Sequence, residues 1–305
     1  MTTYLQNTTL IKDFPMIRQA VIPAAGFGTR FLPATKAVPK EMAVILDRPA
    51  LQWIVEEALA AGVDEVIIVT SPDKPVLRRH FQADPEGLAR LRGHPGRAEA
   101  LAAMERLEAI STHVRFVDQL EQRGLGHAIL CAAERLDPDR PFLVLLGDAL
   151  VRGARPCAAA LAAVSRECGG RSVVGLERVP REKVGRYGIV SGTAVRGDDR
   201  LFKLDRLVEK PRQEEAPSDL AVAGRYVLTP AVLGLLKSTR PGVGGEIQIT
   251  DAIQALLAIE PVYGWRYEGI RHDIGNPLDY LAAALAYAAD DPRYASRLCL
   301  QGNAR

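Results

Sequence analysis

The chain has 305 residues, 48% of them hydrophobic and 25% charged, enough to bury a full core without crosslinks. A net charge of +2 is too balanced for a counterion-release footprint on nucleic acid, so any phosphate chemistry must come from local placement of charge. No apolar run approaches the ~18 to 20 residues of a membrane helix, and no basic start leads into an apolar stretch, so we expect a cytoplasmic protein without a membrane partner.

Residues 1–16, polar as far as Pro15, read as an N-terminal extension. From Ile17 to Pro23 the run I-R-Q-A-V-I-P reads as a buried strand, followed by a Gly-rich loop over 24–30 and a helix over about 50–61. Further strands are predicted at Glu65–Thr70, Val114–Val117 and Phe142–Leu146, with helical patterns between them. Asp84–Arg97, rich in Pro, Gly and Arg, reads as a surface loop. Beyond residue 170 the pattern becomes strand-rich, at 172–179, 187–192, 201–208 and 221–228, with another loop over Gln213–Asp219 and helices at 249–259 and 277–289.

These alternations predict an α/β fold, a doubly wound, mostly parallel (Rossmann-like) mixed sheet with a smaller strand-rich and helical C-terminal part. The expected organisation is one domain over 17–290, with a nucleotide-binding part at about 17–170, a sugar-binding part at about 171–290, and a tail at 291–305. Cys131, Cys157, Cys168 and Cys299 are scattered without a C-x-x-C pair and read as reduced thiols.

The segment after the first strand is A24-A-G-F-G-T-R30-F-L-P-A-T-K36-A-V-P-K40-E41. Gly26 and Gly28 allow close backbone approach to a ligand, with N–H groups turned onto phosphate oxygens. Arg30, Lys36 and Lys40 add three cations at the carboxyl end of the first strand, where ligands of doubly wound sheets bind. A dinucleotide fingerprint needs a third glycine where Phe31 stands, and Pro33 and Pro39 interrupt any helix there; no G-K-[ST] ending marks a P-loop. Hydride transfer and ATP hydrolysis are both disfavoured.

The run V-I-P-A-A-G-F-G-T-R-F-L-P-A-T-K-A-V-P-K-E-M resembles the signature of bacterial UTP–glucose-1-phosphate uridylyltransferases, a branch of the sugar nucleotidyltransferases. The resemblance continues from about Ile17 to about Ala289, through Q119-L-E-Q-R-G-L-G-H-A, L-L-G-D148, Y187-G-I-V, V208-E-K-P, G224-R-Y-V-L, G245-E-I-Q-I-T-D-A and H272-D-I-G-N. It implies attack of a sugar-phosphate oxygen on the α-phosphorus of UTP with loss of pyrophosphate. The nucleophile is already an anion, so the protein must supply placement and charge neutralisation rather than a general base.

By resemblance, Gly26, Gly28 and Thr29, with Ala24 and Ala25, cradle the triphosphate. Arg30 neutralises its β and γ groups, Lys40 lies beside the α-phosphate, and Lys36 is as readily a solvated cation. Asp148 and Asp273 are expected at strand ends as the carboxylate pair for Mg²⁺. A second acid often follows the first in the family, and Ala149 stands there instead. Gln119 and Gly124 resemble the uracil-reading element, the amide donating to O4 and accepting from N3–H. His127 is expected to be a structural donor. Glu209 and Lys210 match the sugar-phosphate end, Gly188 and Glu246 are expected to line the same pocket, and Arg225 is expected to be structural. The expected partners are UTP and glucose 1-phosphate, with assembly into a homodimer or homotetramer. The alternatives are a thymidylyl or other sugar-1-phosphate nucleotidyltransferase, and a non-catalytic regulatory paralogue.

Overall fold

The apolar runs read as strands form one side of a nine-stranded sheet. The computed structural model describes residues 16–195 and 197–298. Its strands in chain order are β1 (Gln19–Pro23), β2 (Val44–Ile45), β3 (Arg48–Pro49), β4 (Glu65–Thr70), β5 (Val114–Asp118), β6 (Phe142–Leu145), β7 (Ala149–Arg152), β8 (Val173–Arg178), β9 (Gly188–Ala194), β10 (Leu201–Glu209), β11 (Leu220–Leu228), β12 (Tyr263–Arg266) and β13 (Ile270–Asp273). The large sheet runs β5-β4-β1-β6-β11-β8-β12-β10-β9, and β7 with β13 forms a separate ribbon.

The fold is mixed α/β, as expected, but the sheet is not mostly parallel. β5, β4, β1 and β6 are parallel, as are β8 and β12. β11 runs antiparallel to both β6 and β8, and β10 antiparallel to β12 and β9. β9 turns directly into its antiparallel neighbour β10, so no helical crossover intervenes there.

Alternation along the parallel strands separates two cores. Ala20, Ile22, Val66 and Ile68 pack on one face, against the helices Ala50–Ala60 and Cys157–Glu167. Val21, Ile67 and Val69 pack on the other, against Leu125–Ala132, Ala231–Ser238 and Ile249–Leu256. Successive side chains point to opposite faces, and each fully buried Ile or Val contributes about 1.5–3 kcal/mol.

Asp84–Arg97 is not a loop throughout: Pro85–Arg92 is helical. Asp84 caps it, Oδ1 accepting from Gly87 N at 3.0 Å, with Pro85 in the first turn. An aspartate cap before a proline is a helix-start signal that outweighs the loop-like composition. No residue of that helix is buried, so it is a surface element. Strands β2, β3, β7 and β12, all short, were not among those expected, and β13 was expected only as the strand that ends at Asp273. Of the expected extension only Met16 is described; of the tail, residues 291–298 are, with a short helix at Pro292–Ala295, and Cys299 lies outside the described residues.

Candidate active site

The Gly-rich loop leaves the carboxyl end of β1 between the ends of β4 and β6. Ala24 N donates to Val69 O at 2.7 Å, and Gly147 N to Pro23 O at 3.2 Å, tying the loop to both neighbouring strands. Beneath it lies a residue that sequence reading missed. Lys74 Nζ donates to Ala24 O (2.8 Å), Gly26 O (2.6 Å) and both carboxylate oxygens of Glu41 (3.0 Å each). Burial pulls the Lys74 ammonium below its ordinary value and pushes the Glu41 carboxyl up, while their mutual attraction opposes both shifts. The available signal was a lysine just past the end of a buried strand.

Beyond the loop, Lys40 Nζ lies 2.6 Å from Asp148 Oδ2, and Arg30 lies 3.0 Å from Asp273 Oδ2. Burial works against the Lys40 ammonium, but the Asp148 and Glu41 carboxylates outweigh it and hold its pKa above the ordinary value. Likewise Asp148 is held below the usual carboxylate range by Lys40 against the cost of burial. The β7–β13 ribbon brings the two aspartates to one place: Asp273 pairs with Ala149, and Ile274 N donates to Asp148 O at 2.9 Å. Lys36 is exposed on the outer side of the loop.

Arg225, fully buried, supports that ribbon. Its Nε and a terminal nitrogen grip Glu57 at 3.0 and 2.8 Å, and the remaining bonds go to Gly224 O at 3.1 Å and Ala149 O at 2.7 Å. It is structural, as expected, and it fixes the residue that follows Asp148.

At one end of the cleft Gln119 is buried. Its amide nitrogen donates to Gly124 O at 3.2 Å and to His127 Nδ1 at 3.0 Å. Flipping the amide would set two carbonyl oxygens against each other, so both donors are committed and His127 accepts at Nδ1, which leaves its Nε2–H as the donor. Among the described residues, nothing donates to the carbonyl oxygen of Gln119. Gly124 has φ 96°, and a Cβ there would sit 2.6 Å from Glu246 Cβ, so only glycine fits. Glu246, expected with the sugar phosphate, thus lies against the Gly124 turn.

At the other end Gly188 packs so tightly that a Cβ would meet Thr250 Cγ2 at 2.8 Å. Lys210 holds a left-handed φ of 44°, unusual for a side-chain-bearing residue, with its N–H donating to Tyr187 O at 3.0 Å. Its ammonium lies 3.4 Å from Glu209. The guanidinium of Arg271, paired with Glu177, covers the Tyr187 ring at 4.9 Å. Thr250, 4% exposed, has a hydroxyl without a protein partner among the described residues. Arg271 and Thr250 were not singled out from sequence, because their roles depend on contacts distant in the chain.

Two clefts meet here. One, of about 620 Å³, is lined by the Gly-rich loop, Lys40, Gln119, Gly124 and Glu246. The other, of about 490 Å³, is lined by Gly188, Tyr187, Thr250, Arg271 and Asp273. Arg30, Asp148, Glu209 and Lys210 line both. Of the residues singled out as a site, Ala24 alone lies behind the wall, buried under the loop.

A cationic, glycine-lined cleft opening onto a second polar cleft, with Asp148 and Glu209 lining both, has the charge and open backbone that suit phosphoryl groups. The family model for Nucleotidyl transferase matches residues 19–290, and the chain belongs to that family. Within it, the chain is 42% identical over 282 residues to the UTP–glucose-1-phosphate uridylyltransferase of Staphylococcus epidermidis, covering 92% of this chain and 96% of the relative. Its fold matches a UDP-glucose pyrophosphorylase complexed with UDP-glucose (TM-score 0.80, 35% identity, 90% of this chain and 100% of that one). It also matches the UTP-bound UGPase from Acinetobacter baumannii (TM-score 0.83, 35% identity, 93% and 98%).

Proposed function

We propose that this protein transfers a uridylyl group from UTP to α-D-glucose 1-phosphate, releasing pyrophosphate and UDP-glucose. The observation that carries the reading is the junction itself: Arg30, Asp148 and Lys210 line both clefts, so a nucleotide in one and a sugar phosphate in the other meet at these charges. The names of the relatives support the same substrates.

In this reading the triphosphate lies along the Gly-rich loop, in a nucleotide half (about 17–170) that is doubly wound and Rossmann-like, with glucose 1-phosphate in the half at about 171–290. Gln119 accepts from uracil N3–H through its carbonyl oxygen, and the Gly124 amide stands beside it as a donor. Lys210 draws the sugar phosphate toward the α-phosphorus and Glu209 accepts from sugar hydroxyls. An oxygen of the sugar phosphate forms a bond to the α-phosphorus as the bond to the β-phosphate oxygen breaks. The pyrophosphate leaves against Arg30, and no covalent enzyme intermediate is needed. Lys40 neutralises the charge at the α-phosphate.

Asp148 and Asp273 present only oxygen donors, which suits Mg²⁺, and no cluster of three or more His, Cys, Asp or Glu able to hold a metal occurs among the described residues. A metal completed by substrate phosphates fits that donor set. Bound there, Mg²⁺ would neutralise phosphate charge and help align the reacting groups.

Assembly into a homodimer or homotetramer belongs to the same proposal. Leu278, Leu281 and Leu285 are exposed along one face of the helix Pro277–Asp290, an apolar stripe suited to a second copy. The three described cysteines are free, which supports a reducing, cytoplasmic setting. No described helix is long and apolar enough to cross a membrane.

The test is pyrophosphate release with glucose 1-phosphate and Mg²⁺ and each of UTP, dTTP, ATP, CTP and GTP. UTP is expected to lead. A tenfold preference for dTTP or ATP overturns the uridylyl reading, and no turnover with any nucleotide favours the non-catalytic paralogue.

A further inference from the structure

We infer that Lys74, paired with Glu41, is a positioning residue for the nucleotide, turning the amides of the Gly-rich loop toward the triphosphate. The inference rests on the placement of UTP phosphates on that loop. Lys74 lies between β4 and the helix Pro75–His80, and its own N–H donates to Ser71 O at 3.0 Å, so its base is anchored outside the loop.

The ammonium has three protons and three sets of acceptors: Ala24 O, Gly26 O and the Glu41 carboxylate. Every donor is used. In a trans peptide the N–H points opposite to the C=O. Drawing the carbonyls of Ala24 and Gly26 toward Lys74 therefore aims the N–H groups of Ala25 and Phe27 the other way. Ala25, Gly26, Phe27 and Gly28 all line the nucleotide cleft and Lys74 does not, so the cation sits behind the loop and the amides face the cleft.

Those amides are unoccupied by the protein. Among the described residues, the N–H groups of Ala25, Gly26, Phe27 and Gly28 have no acceptor, although Ala25 is only 3% exposed. A buried amide left without an acceptor is costly, and successive amides turned to one side form an anion-binding concavity. Glu41 follows Lys40 directly, so the same ion pair also sets the Lys40 turn against the loop. Stability alone does not account for the pair, because apolar residues of similar size commonly serve a buried site as well or better.

The test compares wild type, Lys74→Met, the double variant Lys74→Met/Glu41→Gln, Lys74→Arg and Arg30→Ala. UTP affinity is read by calorimetry, KM for glucose 1-phosphate by steady-state kinetics, and folding by thermal melting. Lys74→Met alone strands the Glu41 carboxyl and is expected to melt at a lower temperature. The double variant removes both charges and is expected to fold. It should bind UTP at least tenfold more weakly while its KM for glucose 1-phosphate stays within threefold. Lys74→Arg keeps the charge without converging three donors on one point and should fall between. A folded double variant with wild-type UTP affinity overturns the inference, provided Arg30→Ala weakens UTP binding. If neither variant changes UTP binding, the placement of UTP on this loop fails as well.

Discussion

Lys40 and Asp148, more than a hundred positions apart in the chain, form an ion pair at 2.6 Å where the two clefts meet. Arg30 and Asp273 form a second pair beside it. Each cation expected to receive phosphate is thus held by a carboxylate expected to hold metal. On the proposed reading, substrate binding is an exchange of partners.

This exchange predicts strong coupling between metal and nucleotide. With both carboxylates already paired, Mg²⁺ binding to the free protein should be weak and should tighten at least tenfold with UTP, about 1.4 kcal/mol of coupling. Mn²⁺ titration followed by electron paramagnetic resonance, with and without UTP, measures it. Equal Mn²⁺ affinity in both states would show that the pairs do not compete with the metal.

Asp148→Asn and Asp273→Asn should each lower kcat by ~10² or more, about 2.7 kcal/mol in barrier, because positioned charge carries most of this chemistry. Both variants should fold, since the asparagine oxygen still accepts from Lys40 or Arg30. Their effects should be non-additive, because either loss empties the same metal position. Turnover against Mg²⁺ concentration for the two singles and the double decides it; a single variant with wild-type kcat at limiting and saturating Mg²⁺ identifies that aspartate as structural.

Arg225→Met should destabilise the fold by about 3–5 kcal/mol, because it strands Glu57 in the core. The double variant Arg225→Met/Glu57→Gln should recover much of the loss, yet stay slow in turnover, because the bond to Ala149 O behind Asp148 is gone. Urea denaturation alongside kinetics separates the two effects. Equal destabilisation in single and double variants would mean that the stranded charge is not the cause.

Burial depresses the pKa of His80, whose Nε2 is 3.0 Å from Gln52 Oε1. Below about pH 6.5 the unfolded chain binds a proton at this position that the folded protein resists, so folded stability falls as pH drops from there toward the depressed value. His80→Gln removes that dependence. The melting-temperature difference between wild type and His80→Gln should therefore shift in favour of the variant as pH falls from 7 to 5; a difference independent of pH would show that His80 titrates normally.

The parallel strands and the Gly-rich loop were legible because their signals are local: apolar runs, paired glycines and closely spaced cations. Asp148 could be placed because it closes such a run. Asp273 could be placed only by resemblance, since β13 is short and takes its position from β7. Lys74, Arg225 and Thr250 acquire their roles from neighbours far along the chain, and nothing near them in sequence announces those neighbours. Gln119 shows the same limit at one side chain: its amide was expected to use both ends on uracil, but Gly124 O and His127 take the donors. The helix Pro85–Arg92 was missed for the opposite reason, a local cap overlooked in favour of composition.

The order of strands also bears on synthesis at the ribosome. β6, an apolar and fully buried F-L-V-L, is covered on one side by β1, which is made before it, and on the other by β11, which emerges only after the intervening chain through β10. Until residues 220–228 leave the exit tunnel, the nascent chain carries an uncovered hydrophobic strand edge, a template for pairing with another copy. A chain interrupted between β6 and β11 is therefore expected to keep that edge open and to associate through it rather than fold as an autonomous unit.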